Sequence, residues 1–148
     1  MYLCSNQISE IKGLDNLKQL EDIYLSHNEI TEIKGLDCLP NLSHISLNWN
    51  QITEIKGLES LQNLMQIDLS YNKITKVPDT SVFKNCENLS TIFFYNRKHI
   101  ENIEKFKKIF DTLDIDFEYD LPSLPIKAQK KLRASEVRKK LSQRKNDF

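Results

Sequence analysis

Glycine is scarce in this chain: three in 148 residues, Gly13, Gly35 and Gly57. Residues spaced so widely cannot form the glycine-rich loop that cradles phosphate, so a nucleotide-binding turn is excluded. Cysteine is as rare. Cys4, Cys38 and Cys86 form no CxxC pair and, being three, cannot all be paired. That excludes a disulfide scaffold and leads us to expect reduced thiols in an intracellular protein, cytoplasmic or nuclear. No apolar run approaches the ~18 residues of a membrane helix, so no membrane contact is expected. The opening MYLCSNQISEIKGL has neither the basic region nor the apolar stretch of a secretory signal. The three histidines, His27, His44 and His99, lack metal-ligand spacing. No metal and no other cofactor is expected.

The formal net charge is 0, but the charges are divided. Residues 1–125 carry 12 Lys and Arg against 19 Asp and Glu, a net of −7, and residues 126–148 carry 9 against 2, a net of +7. An acidic body with a basic tail is the reading.

What the sequence has in plenty is periodicity. Asn6, Asn28, Asn50 and Asn72 stand 22 residues apart, and the string ITEIKGL occurs twice at that spacing. Around each Asn the aliphatic residues keep phase: Leu17, Leu20, Ile23, Leu25, then Ile30, Ile33, Leu36, and so on through Val77. In x-Ile23-x-Leu25 the period is two, which predicts a short strand with one apolar face. The Asn that follows can donate and accept at once, satisfying backbone groups where the chain turns inward. All three glycines fall at one phase, where a tight bend or close backbone approach excludes a Cβ. One such unit cannot bury its own apolar face, so stability must come from stacking repeats on one another.

The pattern L-x-x-L-x-x-I-x-L-x-x-N-x-I-x-x-I-x-G-L, over residues 1 to about 97, resembles the 22-residue leucine-rich-repeat class typified by the regulatory subunit of protein phosphatase 1. It is similar to axonemal dynein light chain and, more loosely, to bacterial internalins; the latter are exported, and the missing secretory signal points away from them. The resemblance implies an α/β solenoid: an arc with a short parallel β-sheet on its concave face. It also implies a non-catalytic scaffold or regulatory subunit whose partner is another protein, such as a phosphatase catalytic subunit or a large assembly.

The last repeat, KVPDTSVFKNCENLSTIFFYNR, is longer, with Cys86 at a leucine phase and Arg97 in place of the Asn. Then Ile100, Ile103, Phe106, Ile109, Phe110 and Leu113 recur at three or four residues, predicting an amphipathic helix that caps the core. DTLDIDFEYD follows with five acids and no base, a final edge strand with an acidic outer side. The expected organisation is repeats over 1–97, a cap over 98–125 and a basic tail, helical or flexible, over 126–148. At the other end, Met1 falls at the phase of Ile23, leaving an edge strand through which copies could associate.

Laying the repeats in register leaves the non-apolar letters as columns on the concave face. One column reads Ser5, His27, Trp49, Tyr71, Asn96; another Tyr2, Tyr24, Ser46, Asp68, Phe93; a third Cys4, Ser26, Asn48, Ser70, Tyr95; and the strand start Asp22, His44, Gln66, Thr91. Aromatic residues dominate interface hot spots, so Tyr2, Tyr24, His27, His44, Trp49, Asp68, Tyr71, Phe93 and Tyr95 form the candidate protein-binding face. Asp22, His44 and Ser46 have the letters of a catalytic triad, but an open sheet offers no nucleophile elbow and no oxyanion donors, and no enzyme is expected.

In the tail, Lys127, Lys130, Lys131, Arg133, Arg138, Lys139, Lys140, Arg144 and Lys145 supply cations without interleaved aromatics. They are the candidate contacts to phosphates of RNA or DNA in the alternative reading, a ribonucleoprotein or other nucleic-acid-associated component. A solvated tail, or one docked on an acidic surface of its own or a sister chain, remains open beside it.

Overall fold

The fold is taken from a computed structural model in which residues 1–95 and 103–119 are described. The nine basic tail residues from Lys127 to Lys145, together with Asn96, Arg97 and Ile100, lie outside the described residues.

Each repeat contributes one short strand: β1 Asp22–Tyr24, β2 His44–Ser46, β3 Gln66–Asp68 and β4 Thr91–Phe94. A fifth, β5 Asp116–Tyr119, follows the helix α1, Ile103–Thr112. All five pair in parallel in chain order, with no crossover out of sequence. Ile23, Ile45, Ile67, Ile92 and Phe117 occupy one rung. At the other edge Tyr2 bridges to Tyr24, and the Met1 amino group donates to the Asp22 carbonyl at 2.6 Å.

The leucine spacing explains the return path. Leu36, Leu39 and Leu42 are linked by successive amide-to-carbonyl bonds of 3.0 and 3.3 Å across three residues, and Leu58, Leu61 and Leu64 repeat the same turns. Three residues per turn put all the leucines on one side, as in a 3₁₀ helix. That side faces the sheet and is fully buried. Where the sequence lengthens, a true 3₁₀ turn forms at Thr80–Phe83, capped by Asp79, whose carboxylate accepts from the Ser81 amide.

Two fixed letters join repeat to repeat. The Asn50 carboxamide oxygen accepts from the Ile30 amide at 2.9 Å, while its nitrogen donates to Leu25 and Leu47 carbonyls at 2.9 and 3.1 Å. Asn28 and Asn72 make the equivalent sets. The asparagines therefore bind the backbone of the preceding turn, not one another. Gly57 has φ +76°, and a Cβ there would lie 1.9 Å from the Ile33 carbonyl oxygen.

At the C-terminal side α1 turns Phe106 and Phe110 inward, both fully buried. They pack on Phe94, Phe117 and Phe83, with ring centroids 4.7–6.5 Å apart. Each such ring removed from water is worth about 2–3 kcal/mol, which is what holds β5 against β4. Cys86 sits in the leucine layer, its thiol donating to the Leu58 carbonyl at 3.2 Å, and burial pushes it up to about 11. It behaves as a small apolar side chain.

Candidate functional site

The register of the sheet sets the concave columns. Asp22, His44, Gln66, Thr91 and Asp116 align at the strand starts, and Tyr24, Ser46, Asp68, Phe93 and Glu118 align two residues on. The sequence columns hold, and β5 extends both with acids. Asp116 and Glu118 were absent from the candidate face, although the alternation of Ile115, Phe117 and Tyr119 already signalled that their partners faced the other way.

The column His27, Trp49, Tyr71 is not on the strands. It lies three residues past their ends, and its backbone is left-handed: φ is 58° at Ser5, 56° at His27, 57° at Trp49 and 55° at Tyr71. The position is held by the ladder itself. The Trp49 amide donates to the Ser70 carbonyl at 3.0 Å and its own carbonyl accepts from the Asn28 amide at 3.2 Å. Just past the strand ends the three rings stack, His27 exposed and Trp49 and Tyr71 half-buried. His27 and Trp49 are 5.3 Å apart and 10° from parallel; Trp49 and Tyr71 are 4.3 Å apart and 21° from parallel. Trp49 is half-buried, with a ring on either side, so it presents its edge to solvent.

Two further aromatic groups flank the middle of the sheet. Tyr2, 80% exposed, stacks on Tyr24 at 4.6 Å and 4°. Phe93 lies 6.5 Å from Tyr95, whose hydroxyl donates to Glu118 at 2.7 Å. The nearby Asp22 carboxylate pushes the Tyr24 hydroxyl above its usual range. Between these groups the residues are small and polar. The Ser26 and Ser46 hydroxyls are 2.8 Å apart, and the Ser46 hydroxyl donates to Asn48 at 3.1 Å. Ser70, expected on the concave surface, is buried, and its hydroxyl accepts from the Tyr95 amide at 3.1 Å, so it drops out of that column while Cys4, Ser26, Asn48 and Tyr95 stay at least partly exposed.

The triad letters do not assemble. Asp22 reaches His44 Nδ1 at 2.9 Å, but the Ser43 hydroxyl meets the same nitrogen at 2.9 Å and Ser46 is engaged with Ser26 and Asn48. A relay needs acid and hydroxyl on opposite ring nitrogens. Among the described residues no group of three or more His, Cys, Asp and Glu side chains is gathered to hold a metal ion, and no helix is long and apolar enough to cross a membrane.

With this geometry in place, the comparisons with known proteins give the class. Residues 1–38 and 18–60 each match a family model described as leucine-rich repeats (2 copies). The fold is a leucine-rich-repeat solenoid with a five-stranded parallel sheet. Among solved structures, an internalin C2 of Listeria monocytogenes aligns with a TM-score of 0.62 at 24% identity, covering 80% of this chain and 50% of that one. A second internalin of the same organism, inlF, aligns at 0.51 and 21% identity, covering 80% and 42%. The chain thus spans about half the length of these structures, and the likeness is one of fold. No protein of curated function matches the chain by sequence. Leucine-rich-repeat domains in general mediate protein–protein interaction.

Proposed function

We propose that this chain is a non-catalytic interaction module that binds a protein partner on its concave face, anchored by the ridge His27–Trp49–Tyr71. The observation carrying this reading is the left-handed backbone under three large rings. Such a backbone costs an L-residue roughly 1–2 kcal/mol, and asparagine or glycine would hold it at less. Three such residues cost about 3–6 kcal/mol together and the two stacked pairs return about 1–3 kcal/mol, so stacking leaves part of the strain uncovered. Stability alone therefore gives little reason for His, Trp and Tyr at this phase, whereas recognition does: exposed aromatic ridges are where binding energy concentrates. The role is that of a scaffold or regulatory subunit, and the partner the sequence resemblance implies is a phosphatase catalytic subunit or a larger assembly. Three free thiols, at Cys4, Cys38 and Cys86, suit a reducing intracellular compartment.

Affinity capture followed by titration calorimetry tests the reading. Trp49→Asn keeps a residue that tolerates the left-handed turn, so the fold stays within about 2 kcal/mol of the parent. Its affinity for the captured protein should fall more than about ten-fold. Full affinity in the folded variant would move the site off this face.

A further inference from the structure

The middle of the concave face has a chemistry of its own, distinct from the aromatic ridge. Ser46 and Asp68 are neighbours in register, with Tyr24 on one side and Phe93 on the other. Strands lie about 4.8 Å apart, so the two rings stand roughly 14 Å apart across a floor of two small polar side chains. Tyr2 covers one face of the Tyr24 ring; the other looks across Ser46. The hydroxyl of Ser46 is held between Ser26 and Asn48, which keeps the floor low. Asp68 spends one acceptor position on the Ser70 amide at 2.9 Å, and a carboxylate has about four.

Charge gives the direction. Among the described residues the concave columns carry Asp22, Asp68, Asp116 and Glu118, and no lysine or arginine. The described lysines lie on the loops and on α1, several of them paired with glutamates two residues away. A face of this kind repels phosphates and acidic chains and attracts cations. A half-buried carboxylate beside an aromatic ring suits a side chain with an apolar stem and a cationic head, because Phe93, next to Asp68 in register, covers the stem while the head meets the carboxylate.

Resting on the concave-face reading, we propose that the saddle over Ser46 and Asp68 receives a lysine or arginine side chain from an extended basic segment of the partner protein. The test uses the full chain and three dye-labelled eight-residue peptides in which serine alternates with arginine, glutamate or leucine, followed by fluorescence anisotropy near physiological salt. The arginine peptide should bind saturably. Asp68→Asn, whose amide oxygen still accepts from Ser70, should weaken it roughly five-fold or more. Asp37→Asn, the same loss of charge on an exposed loop, should leave binding within about two-fold. Equal losses in the two variants would overturn the proposal, since attraction would then be to the acidic body at large. Binding of the glutamate or leucine peptide alone, sensitive to Trp49→Asn, would overturn it while leaving the concave-face reading standing. Absence of binding by all three peptides would also overturn it. So would arginine-peptide binding seen only when Lys130, Lys131, Lys139 and Lys140 are all replaced by Gln, which would make residues 126–148 the occupant.

Discussion

At the scale of single residues, the asparagines and the ring residues beside them divide the work of each turn. Asn50 is 4% exposed and its side chain makes four bonds to the backbone of its own and the preceding repeat, the longest at 3.4 Å. Asn6 is exposed, and its side-chain amide donates to the Leu3 and Cys4 carbonyls, within its own turn. Removing the first strands a buried amide and two carbonyls; removing the second strands groups that water reaches. Asn50→Ala should therefore cost about 3 kcal/mol and Asn6→Ala less than about 1 kcal/mol in urea unfolding, and similar costs would refute the bridging role. The role of the asparagines was legible in the sequence because one amide type recurs at one phase. The left-handed turn next to it was not. Ser5, His27, Trp49 and Tyr71 include neither glycine nor asparagine, so nothing in the letters shows that this column lies beyond the strands. The order of the rings is legible all the same, because neighbours in register stay neighbours whatever the turn.

At the scale of elements, the unit is not a strand or a helix but a 22-residue coil whose two sides are a three-residue strand and a run of three-residue turns. The strand is readable from period two; the turns, which set the leucines three apart, come from the structure. The close approach between coils was readable only as a position at which glycine recurs; the structure gives its cause. At Gly57 and Gly35 a Cβ would lie 1.9 and 2.3 Å from a carbonyl oxygen of the coil before, while at Gly13 it would meet nothing within 4 Å. All three share a φ near +75°. Gly13→Ala should thus carry the conformational penalty alone, about 1 kcal/mol, and Gly57→Ala that penalty plus displacement of backbone, at least about 2–3 kcal/mol. Thermal unfolding of the two variants separates the terms. Equal losses would mean that the coils do not touch there. The capping helix was placed correctly by its aromatic spacing, since Phe106 and Phe110 are four apart and both fully buried, and the acidic segment after it pairs as β5. That β5 would widen the concave face with Asp116 and Glu118 follows from register, which fixes which side chains share a face only once the pairing partner is known.

At the scale of the whole molecule, a wall of constant aliphatics positions a face of varied side chains. The wall explains why the fold was legible almost throughout: its residues are determined by packing, and packing repeats. The face is determined by whatever it touches, and so its chemistry is legible while its partner's identity is not. Aromatic groups at His27–Trp49–Tyr71, Tyr2–Tyr24 and Phe93–Tyr95 surround a small, acidic centre.

Trp49 is the chain's one tryptophan, which makes it a built-in reporter at the middle of the ridge. The most direct measurement is fluorine NMR of the chain labelled with 5-fluorotryptophan, which yields a single resonance, recorded alone and with a saturating amount of the captured partner. Engagement of the concave face should shift or broaden that resonance by desolvating the ring edge. A resonance unchanged in position and width, with complex formation confirmed in the same sample, would contradict the assignment of the ridge as the binding surface.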